Sequence, residues 1–145
     1  MSRMSLAAAF MTASLTMAHA AVAQISDNVV RPGVLGDMSG PNADQQGPGD
    51  VVAARMAVAD FGGKLRGAPI EVLAGNLPGA PDVGVGIARR WFDYGVDAIF
   101  SLGNSAVATA VQGLAKEKNR ITVATSAGSD TLTNKACTPV SAHWT

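Results

Sequence analysis

This 145-residue sequence is poor in cysteine and has no net charge, and each of these features excludes a class of protein. It has one cysteine, Cys137, so the chain cannot form an internal disulfide, and no His/Cys cluster has the spacing of a structural zinc site. Eleven basic and eleven acidic residues leave no net charge, and they form no cluster of one sign. The sequence therefore argues against nucleic acid and anionic membrane surfaces as partners.

Groups that perform catalysis are equally scarce. His143 is the only histidine outside the N-terminal segment, and we interpret it as an ordinary surface or half-buried residue rather than a catalytic base. No serine lies in a G-x-S-x-G elbow, and the two glutamates, Glu71 and Glu117, form no evident carboxylate pair. The string GVGIAR at residues 84–89 lacks the third glycine of a dinucleotide fingerprint and lies within a predicted helix. The sequence predicts a protein that binds without catalysing and uses no cofactor or metal.

The N-terminus carries the one long apolar stretch. Arg3 precedes an apolar run over residues 4–17, and A-x-A motifs end at Ala20 and at Ala23. This is the layout of a cleavable secretory signal, and the run is short for a membrane span. We predict a signal peptide over residues 1–23, with cleavage after Ala23 favoured over Ala20, and a periplasmic mature protein. A membrane anchor or a core helix is the alternative interpretation of this run.

After the leader, strand and helix patterns alternate. A hydrophobic fraction of 48% with 15% charged residues indicates a globular domain. Strands are predicted over residues 29–35, 69–74, 96–103 and 120–130, and helices over residues 49–61, 81–94 and 106–119. Four strands that alternate with three helices predict an α/β fold, a parallel sheet with helices on both faces.

Side-chain patterns also predict how these elements pack. A wide apolar face on the first helix is expected from Val51, Val52, Ala54, Met56, Val58, Ala59 and Phe61. The second helix is expected to cover the sheet with Val83, Ile87, Trp91 and Phe92 and to leave Arg89, Arg90 and Asp93 in solvent. Pro32 and Gly33 argue that the first strand is an edge strand or pairs irregularly.

Four loops mark the predicted binding edge. In open parallel sheets, ligands bind at the carboxyl ends of the strands, where helix N-termini present free N–H groups. The loops after the predicted strands span residues 37–49, 75–80, 103–105 and 126–130, and all are rich in Gly, Ser, Asn and Asp. They offer backbone amides and hydroxyls rather than acids and bases, which is typical of a site that binds without reacting.

Six segments carry a family resemblance. They are GVLGDMSGPNADQQGPG, AARMAVADFGG, DVGVGIARRWFDYGVDAIF, NSAVATAVQGLAKEKN, TSAGSDTLTNKAC and HWT. In this order and spacing they resemble the type I periplasmic solute-binding proteins, specifically the branched-chain amino acid (Leu/Ile/Val) binding family of ABC importers. The resemblance implies a two-lobed protein whose hinge closes around a small ligand. It also implies delivery to an ABC permease in the inner membrane, without any reaction.

The resemblance also implies which residues hold the ligand. By position they are Ser105 in GNSAV, then Ser126, Ala127, Gly128 and Ser129 in TSAGSD, with Met38 and Ser39 at the lip of the pocket. Ser105 is expected at a helix N-terminus, where hydroxyl and amide donors favour a carboxylate. Each residue has a second interpretation: Ser105 or Asn104 as a helix cap, residues 126–129 as a turn, and Met38 as part of the core.

Family members continue well beyond the position of Thr145. The resemblance therefore implies that residues 24–145 form an N-terminal first lobe without its second lobe, and we expect no stable ligand capture by this lobe alone. It also implies that the disulfide partner of Cys137 would lie later in the chain. The ligand stays open among Leu/Ile/Val, short amides, urea and aromatic carboxylates. The alternatives in function are a ligand-sensing receptor domain of the same fold and an α/β enzyme.

Overall fold

The computed structural model describes residues 26–77 and 79–144. Its strands are β1 (Pro32–Gly36), β2 (Lys64–Leu65), β3 (Ala68–Pro69), β4 (Leu73–Asn76), β5 (Ala98–Ser101), β6 (Ile121–Ala124) and β7 (Ser141–His143). Its helices are α1 (Ala43–Gln46), α2 (Pro48–Asp60), α3 (Pro81–Tyr94) and α4 (Ser105–Lys118), with short 3₁₀ helices at Ser26–Asn28 and Asp130–Leu132. The signal peptide predicted for residues 1–23 lies outside the described residues.

Five of the strands form one parallel sheet in the order β4-β1-β5-β6-β7. β2 and β3 pair separately as a small antiparallel ribbon. After β1 the chain moves to one side to form β4 and then crosses to the other side of β1 to form β5. This reversal opens a crevice at the carboxyl ends of β1 and β5, where open α/β sheets bind ligands. The predicted α/β fold, a parallel sheet with helices on both faces, is confirmed.

Helices α3 and α4 pack together against one face of the sheet. Their buried side chains join those of the strands in a single hydrophobic core, which includes Leu35, Phe92, Ile99, Val107 and Val111. Phe92 is only 4% exposed, which confirms its predicted core position. Removal of this much apolar surface from water is the main source of the fold's stability.

Trp91 explains two glycines of the sheet. A Cβ at Gly33 would lie 2.5 Å from the indole ring, and a Cβ at Gly75 would lie 2.8 Å from it. The ring therefore lies flat across β1 and β4, where only glycine leaves room for it. Trp91 packs against the core as predicted, whereas Val83 of the same helix is 40% exposed.

Helix α2 covers the opposite face of the sheet only partly. Of its predicted apolar face only Val51 is buried, while Val52, Met56 and the adjoining Phe61 are more than half exposed. An open groove of about 410 Å³ remains between α2 and the sheet, lined in part by Val34, Ala53, Ala57 and Phe100. The prediction of a buried, wide apolar face was wrong because α2 does not pack closely on this face of the sheet. Val58 and three alanines line the open groove, while Val52 and Met56 lie outside its lining and are exposed.

Two strand predictions were also wrong in detail, and one strand was not predicted. The strand predicted over residues 69–74 is split, since Ala68–Pro69 pairs with β2 and the sheet strand is Leu73–Asn76. β1 is a central strand rather than an edge strand, because Pro32 occupies its first position, where a missing N–H is tolerated. β7 was not predicted, since three residues are too few to show an alternating pattern.

The other predicted strands and helices agree with the structure apart from their ends, whereas α1, β2 and the two short 3₁₀ helices were not predicted. The strands predicted over residues 96–103 and 120–130 are shorter, at Ala98–Ser101 and Ile121–Ala124. α2 starts at Pro48, in the first turn of the helix, where proline is favoured. Within residues 26–77 and 79–144, no helix combines the length and the apolarity of a membrane span.

Candidate ligand-binding site

The loops at the carboxyl edge of the sheet lie side by side. Along this edge, in the order of the strands, Asn76 ends β4 and the segment from Asp37 follows β1. The start of α4 follows β5, and residues 126–129 follow β6. His143 follows at the end of β7. Every residue that the sequence singles out as a site therefore lies along one edge, and the loops after β1 and β5 flank the crevice.

Asp37 holds the loop after β1 in a tight curl. Its buried carboxylate accepts the N–H of Gly40 at 2.6 Å and the N–H of Asn42 at 3.0 Å. The backbone N–H of Asn42 is the main reason that the pKa of Asp37 lies below its ordinary value, although burial acts in the opposite direction. The anionic carboxylate thus stabilises the loop that carries Met38 and Ser39.

Asn76 ties the predicted lip to the neighbouring strand. Its side-chain carbonyl accepts the N–H of Met38 at 2.9 Å, and its amide donates to the Ser39 hydroxyl at 3.1 Å. Met38 is half-buried and Ser39 is exposed, so the lip has one side against the protein and one side open. Sequence reasoning missed Asn76, whose only signal was its place in the loop over residues 75–80 after a predicted strand.

The start of α4 resolves the choice between Asn104 and Ser105 as the cap. The Asn104 side chain accepts the N–H groups of Ala106 at 3.0 Å and Val107 at 3.1 Å, so Asn104 is the N-cap. The hydroxyl and N–H of Ser105 donate to no acceptor among the described residues. Ser105 therefore presents two unused donors at the positive end of a 14-residue helix.

A strained turn directs the chain from β5 into α4. Ser101 and Leu102 have φ values of 79° and 56°, which non-glycine residues rarely adopt. The Ser101 hydroxyl donates to Asp50 at 2.6 Å, and this bond ties the turn to the start of α2. Backbone strain of this kind is concentrated at functional sites, and the sequence showed no sign of it.

Gln46 fills the space between two of these loops. A Cβ at Gly103 would overlap the side-chain amide of Gln46, so the buried Gln46 side chain lies directly against the Gly103 backbone. The last residue of α1 thereby contacts the segment that leads into α4. Only glycine at position 103 leaves room for this contact.

The loop after β6 combines buried and exposed residues. Ala127 is fully buried, with 0% accessible surface, and belongs to the hydrophobic core. Ser126 and Gly128 on either side are exposed, and their N–H groups donate to no acceptor in the described part of the chain. The Ser129 hydroxyl caps the 3₁₀ helix by accepting the N–H of Thr131 at 3.3 Å. Ala127 thus anchors the loop, and its two neighbours offer free donors.

The arrangement is suited to binding an anionic polar group. Among residues 26–77 and 79–144, no group of three His, Cys, Asp or Glu residues is placed to hold a metal ion. The free donors belong to hydroxyls and backbone amides, which bind a carboxylate without exchanging protons with it. Cys137 is exposed and forms no disulfide with the described residues, and it lies outside these loops.

A family model described as periplasmic binding protein matches residues 29–145. The chain belongs to this family. A periplasmic binding protein from Burkholderia mallei is 43% identical with a TM-score of 0.76, and the match covers 79% of this chain and 31% of that one. A branched chain amino acid ABC transporter periplasmic ligand-binding protein from Burkholderia xenovorans LB400 is 40% identical with a TM-score of 0.74, covering 77% of this chain and 30% of that one.

A more distant structure shares the periplasmic binding protein fold. The solute binding protein of an ABC transporter from R. palustris, in complex with benzoate, is 24% identical with a TM-score of 0.68 and matches 79% of this chain and 32% of its own. The chain spans about a third of the length of the solved structures it matches and forms a single lobe of their fold. A comparison with curated proteins gave no significant match.

These matches confirm the resemblance inferred from the sequence. The periplasmic binding protein family is extracytoplasmic, and its members are the substrate-binding proteins of ABC transporters rather than enzymes. The described residues form one parallel α/β sheet of this fold.

Proposed function

We propose that this chain is the ligand-binding N-terminal lobe of an extracytoplasmic substrate-binding component of an ABC importer. Its ligand is a branched-chain amino acid or a similar small carboxylate or amide, which the protein delivers to a permease in the inner membrane. The observation that carries the proposal is the pair of unused donors on Ser105, next to free N–H groups after β6. The named ligand class of the B. xenovorans relative supports the same assignment.

In this proposal the ligand carboxylate binds at the start of α4. The Ser105 hydroxyl and N–H donate to it, and the helix dipole adds a favourable field. Ser126 and Gly128 supply further donors and carbonyls for the charged groups of the ligand, and Ala127 holds their loop in place. The Ser129 hydroxyl accepts the N–H of Thr131 and keeps its own O–H to donate to the ligand. Each charge-assisted bond is shorter and stronger than a neutral one, so few donors suffice to orient a small ligand.

Met38 and Ser39 form the wall of the mouth in this proposal. They lie on the loop after β1, on the far side of the crevice from residues 126–129. Hydrogen bonds to the side chains of Asn76 and Asp37 hold that loop, so the wall is formed before ligand binds. A preformed site loses less conformational entropy on binding.

Binding by the lobe is tested by solution NMR of residues 24–145. Because an opposing lobe supplies part of the binding free energy when it closes, we expect weak binding, with Kd on the order of 1 mM. Leucine, isoleucine, valine and benzoate are titrated while the backbone amide shifts are followed. The expected result is saturable shifts at Ser105, Ser126 and Gly128 with at least one of these carboxylates.

The matched control separates carboxylate recognition from apolar contact. Isobutylamine has the apolar group and the amine of valine but no carboxylate, and we expect no saturable shift with it at Ser105. The Ser105→Ala variant removes one donor and is expected to weaken binding of the carboxylate by about tenfold. Shifts confined to other regions, or an unchanged affinity in this variant, would show that α4 does not hold the ligand.

Export through residues 1–23 is part of the same proposal. The basic start, the short apolar run and the A-x-A motifs support it. N-terminal sequencing of protein recovered from the periplasm is expected to begin at Gln24, with Ala21 as the alternative start. Retention of Met1 in the recovered protein would contradict this prediction.

A further inference from the structure

His143 makes the one hydrogen bond that the Ala127 carbonyl accepts among the described residues. The two residues are 16 positions apart, and the contact joins Nε2 of the ring to the carbonyl oxygen. Strand pairing sets this contact up, since β7 runs parallel to β6 and aligns His143 with Ala124. The imidazole therefore spans from the end of β7 to the loop that continues β6.

The other contacts of this loop are at its two ends. On the strand side, Thr125 N–H donates to the Ser101 carbonyl at 2.9 Å. On the far side, Ser129 caps the 3₁₀ helix, whose Leu132 carbonyl accepts the buried Gln112 side chain at 3.1 Å. Between these ends, the core position of the Ala127 methyl group and the His143 hydrogen bond hold the backbone.

Because Ala127 is buried, loss of this hydrogen bond would destabilise the loop. With 0% accessible surface, its carbonyl has no access to water, so loss of the imidazole would leave a buried acceptor unpaired. The loop would then relax by rotating the peptide group between Ala127 and Gly128 toward solvent. That rotation reorients the N–H of Gly128, which is one of the free donors at the carboxyl edge.

We infer that His143 is a positioning residue, whose Nε2–H fixes the orientation of the Ala127–Gly128 peptide and thereby the donors of residues 126–129. A carbonyl oxygen accepts and does not donate, so the ring carries a proton on Nε2 in this state. Its effect on ligand affinity rests on the proposed function, whereas its effect on the loop does not. The role needs no change in charge and no direct contact between His143 and ligand.

The test compares three variants by NMR. In His143→Ala the backbone order parameters of Ala127 and Gly128 are expected to fall from about 0.85 to below about 0.6. In His143→Gln the side-chain amide replaces the Nε2–H donor, and the order parameters are expected to recover most of that loss. Trp144→Ala is the matched control, because Trp144 is 79% exposed and adjacent to His143, and it should leave both order parameters unchanged.

Two further measurements complete the test. Ring ¹⁵N shifts of the wild type should show a protonated Nε2, a readout that does not depend on any variant folding. Affinity for the best carboxylate of the panel should fall about tenfold in His143→Ala and recover in His143→Gln.

The outcomes separate the two proposals. If the wild type binds none of the carboxylates, the proposed function fails, and the order parameters still decide the role of His143. An unprotonated Nε2, or unchanged order parameters in His143→Ala, would overturn the inference even if ligand binds. If the order parameters of Ala127 and Gly128 fall in His143→Ala and His143→Gln does not restore them, His143 acts through packing rather than through its hydrogen bond.

Discussion

Helices α3 and α4 close one face of the sheet, whereas α2 leaves the other face partly open. On the closed face, Phe92 is 4% exposed and packs among strand and helix residues. On the open face, Phe61, which follows α2, is 63% exposed, and a groove separates the helix from Phe100. Two aromatic residues with the same chemistry thus make different contributions to stability, because only one loses its contact with water.

The largest expected effect on stability comes from removing a core side chain on the face that α3 and α4 cover. Phe92→Ala should lower the free energy of unfolding by about 3–5 kcal/mol, because it removes a buried ring and leaves a cavity. Phe61→Ala removes the same ring from a mostly exposed site and should change stability by no more than about 0.5 kcal/mol. Urea denaturation of both variants measures the difference. Equal losses would mean that Phe61 is buried in solution and that the two faces are covered alike.

The helix starts on the two faces also differ. Asn104 caps α4 with its side chain, while α2 begins at Pro48 without any side-chain cap. Asn104→Ala should cost about 1 kcal/mol of stability, since two N–H groups lose their acceptor. Ser105→Ala, one position later, should cost less than about 0.5 kcal/mol, because its hydroxyl caps nothing. Thermal unfolding checks this pair, and a larger loss for Ser105→Ala would reverse the assignment of the cap.

A smaller effect concerns the loop that leads to the open face. The folded pKa of Asp37 lies below its ordinary value of 3.8, so its carboxylate stabilises the fold above that pH. This contribution is lost as the pH falls through the folded pKa. Asp37→Asn should therefore be less stable than the wild type at pH 6, with a gap that narrows below pH 3.8.

Asp44→Asn is the control for this pH dependence. Asp44 lies in the neighbouring helix α1, and its exposed carboxylate makes no hydrogen bond with the described residues. Urea denaturation across the acid range should show the Asp44→Asn variant following the wild-type curve. A gap between Asp37→Asn and the wild type that stays constant with pH would mean that the loop does not depend on the ionised carboxylate.

The sequence patterns predicted helices better than they predicted which helix faces are buried. Apolar spacing located α2, α3 and α4 to within a few residues, because hydrogen bonding within a helix is local. The same spacing assigned Phe61 and Met56 to a buried face, and both are exposed. Burial depends on which other elements cover a face, and that information is not contained in a window of a dozen residues.

The candidate site was predictable in part. Position relative to the strand ends indicated the loops at residues 37–49, 103–105 and 126–130, since parallel strands share one carboxyl edge. The division of roles within each loop was not predictable. Asn104 and Ser105 are both plausible caps in sequence, and only hydrogen-bond geometry showed that Asn104 is the cap. The hydrogen bonds of Asn76 with Met38 and of His143 with Ala127 were not predictable, because the partners are 38 and 16 residues apart.

The alternation of strands and helices, the family of the chain and the small polar character of its loops are evident in the sequence. These properties follow from local composition and from the order of motifs along the chain. The central place of β1, the position of Trp91 across Gly33 and Gly75, and the contact of His143 with Ala127 are evident in the folded chain alone. Each of these features depends on the pairing of strands that are distant in sequence. That pairing is the one that gives the whole chain its most stable packing, so no local segment specifies it.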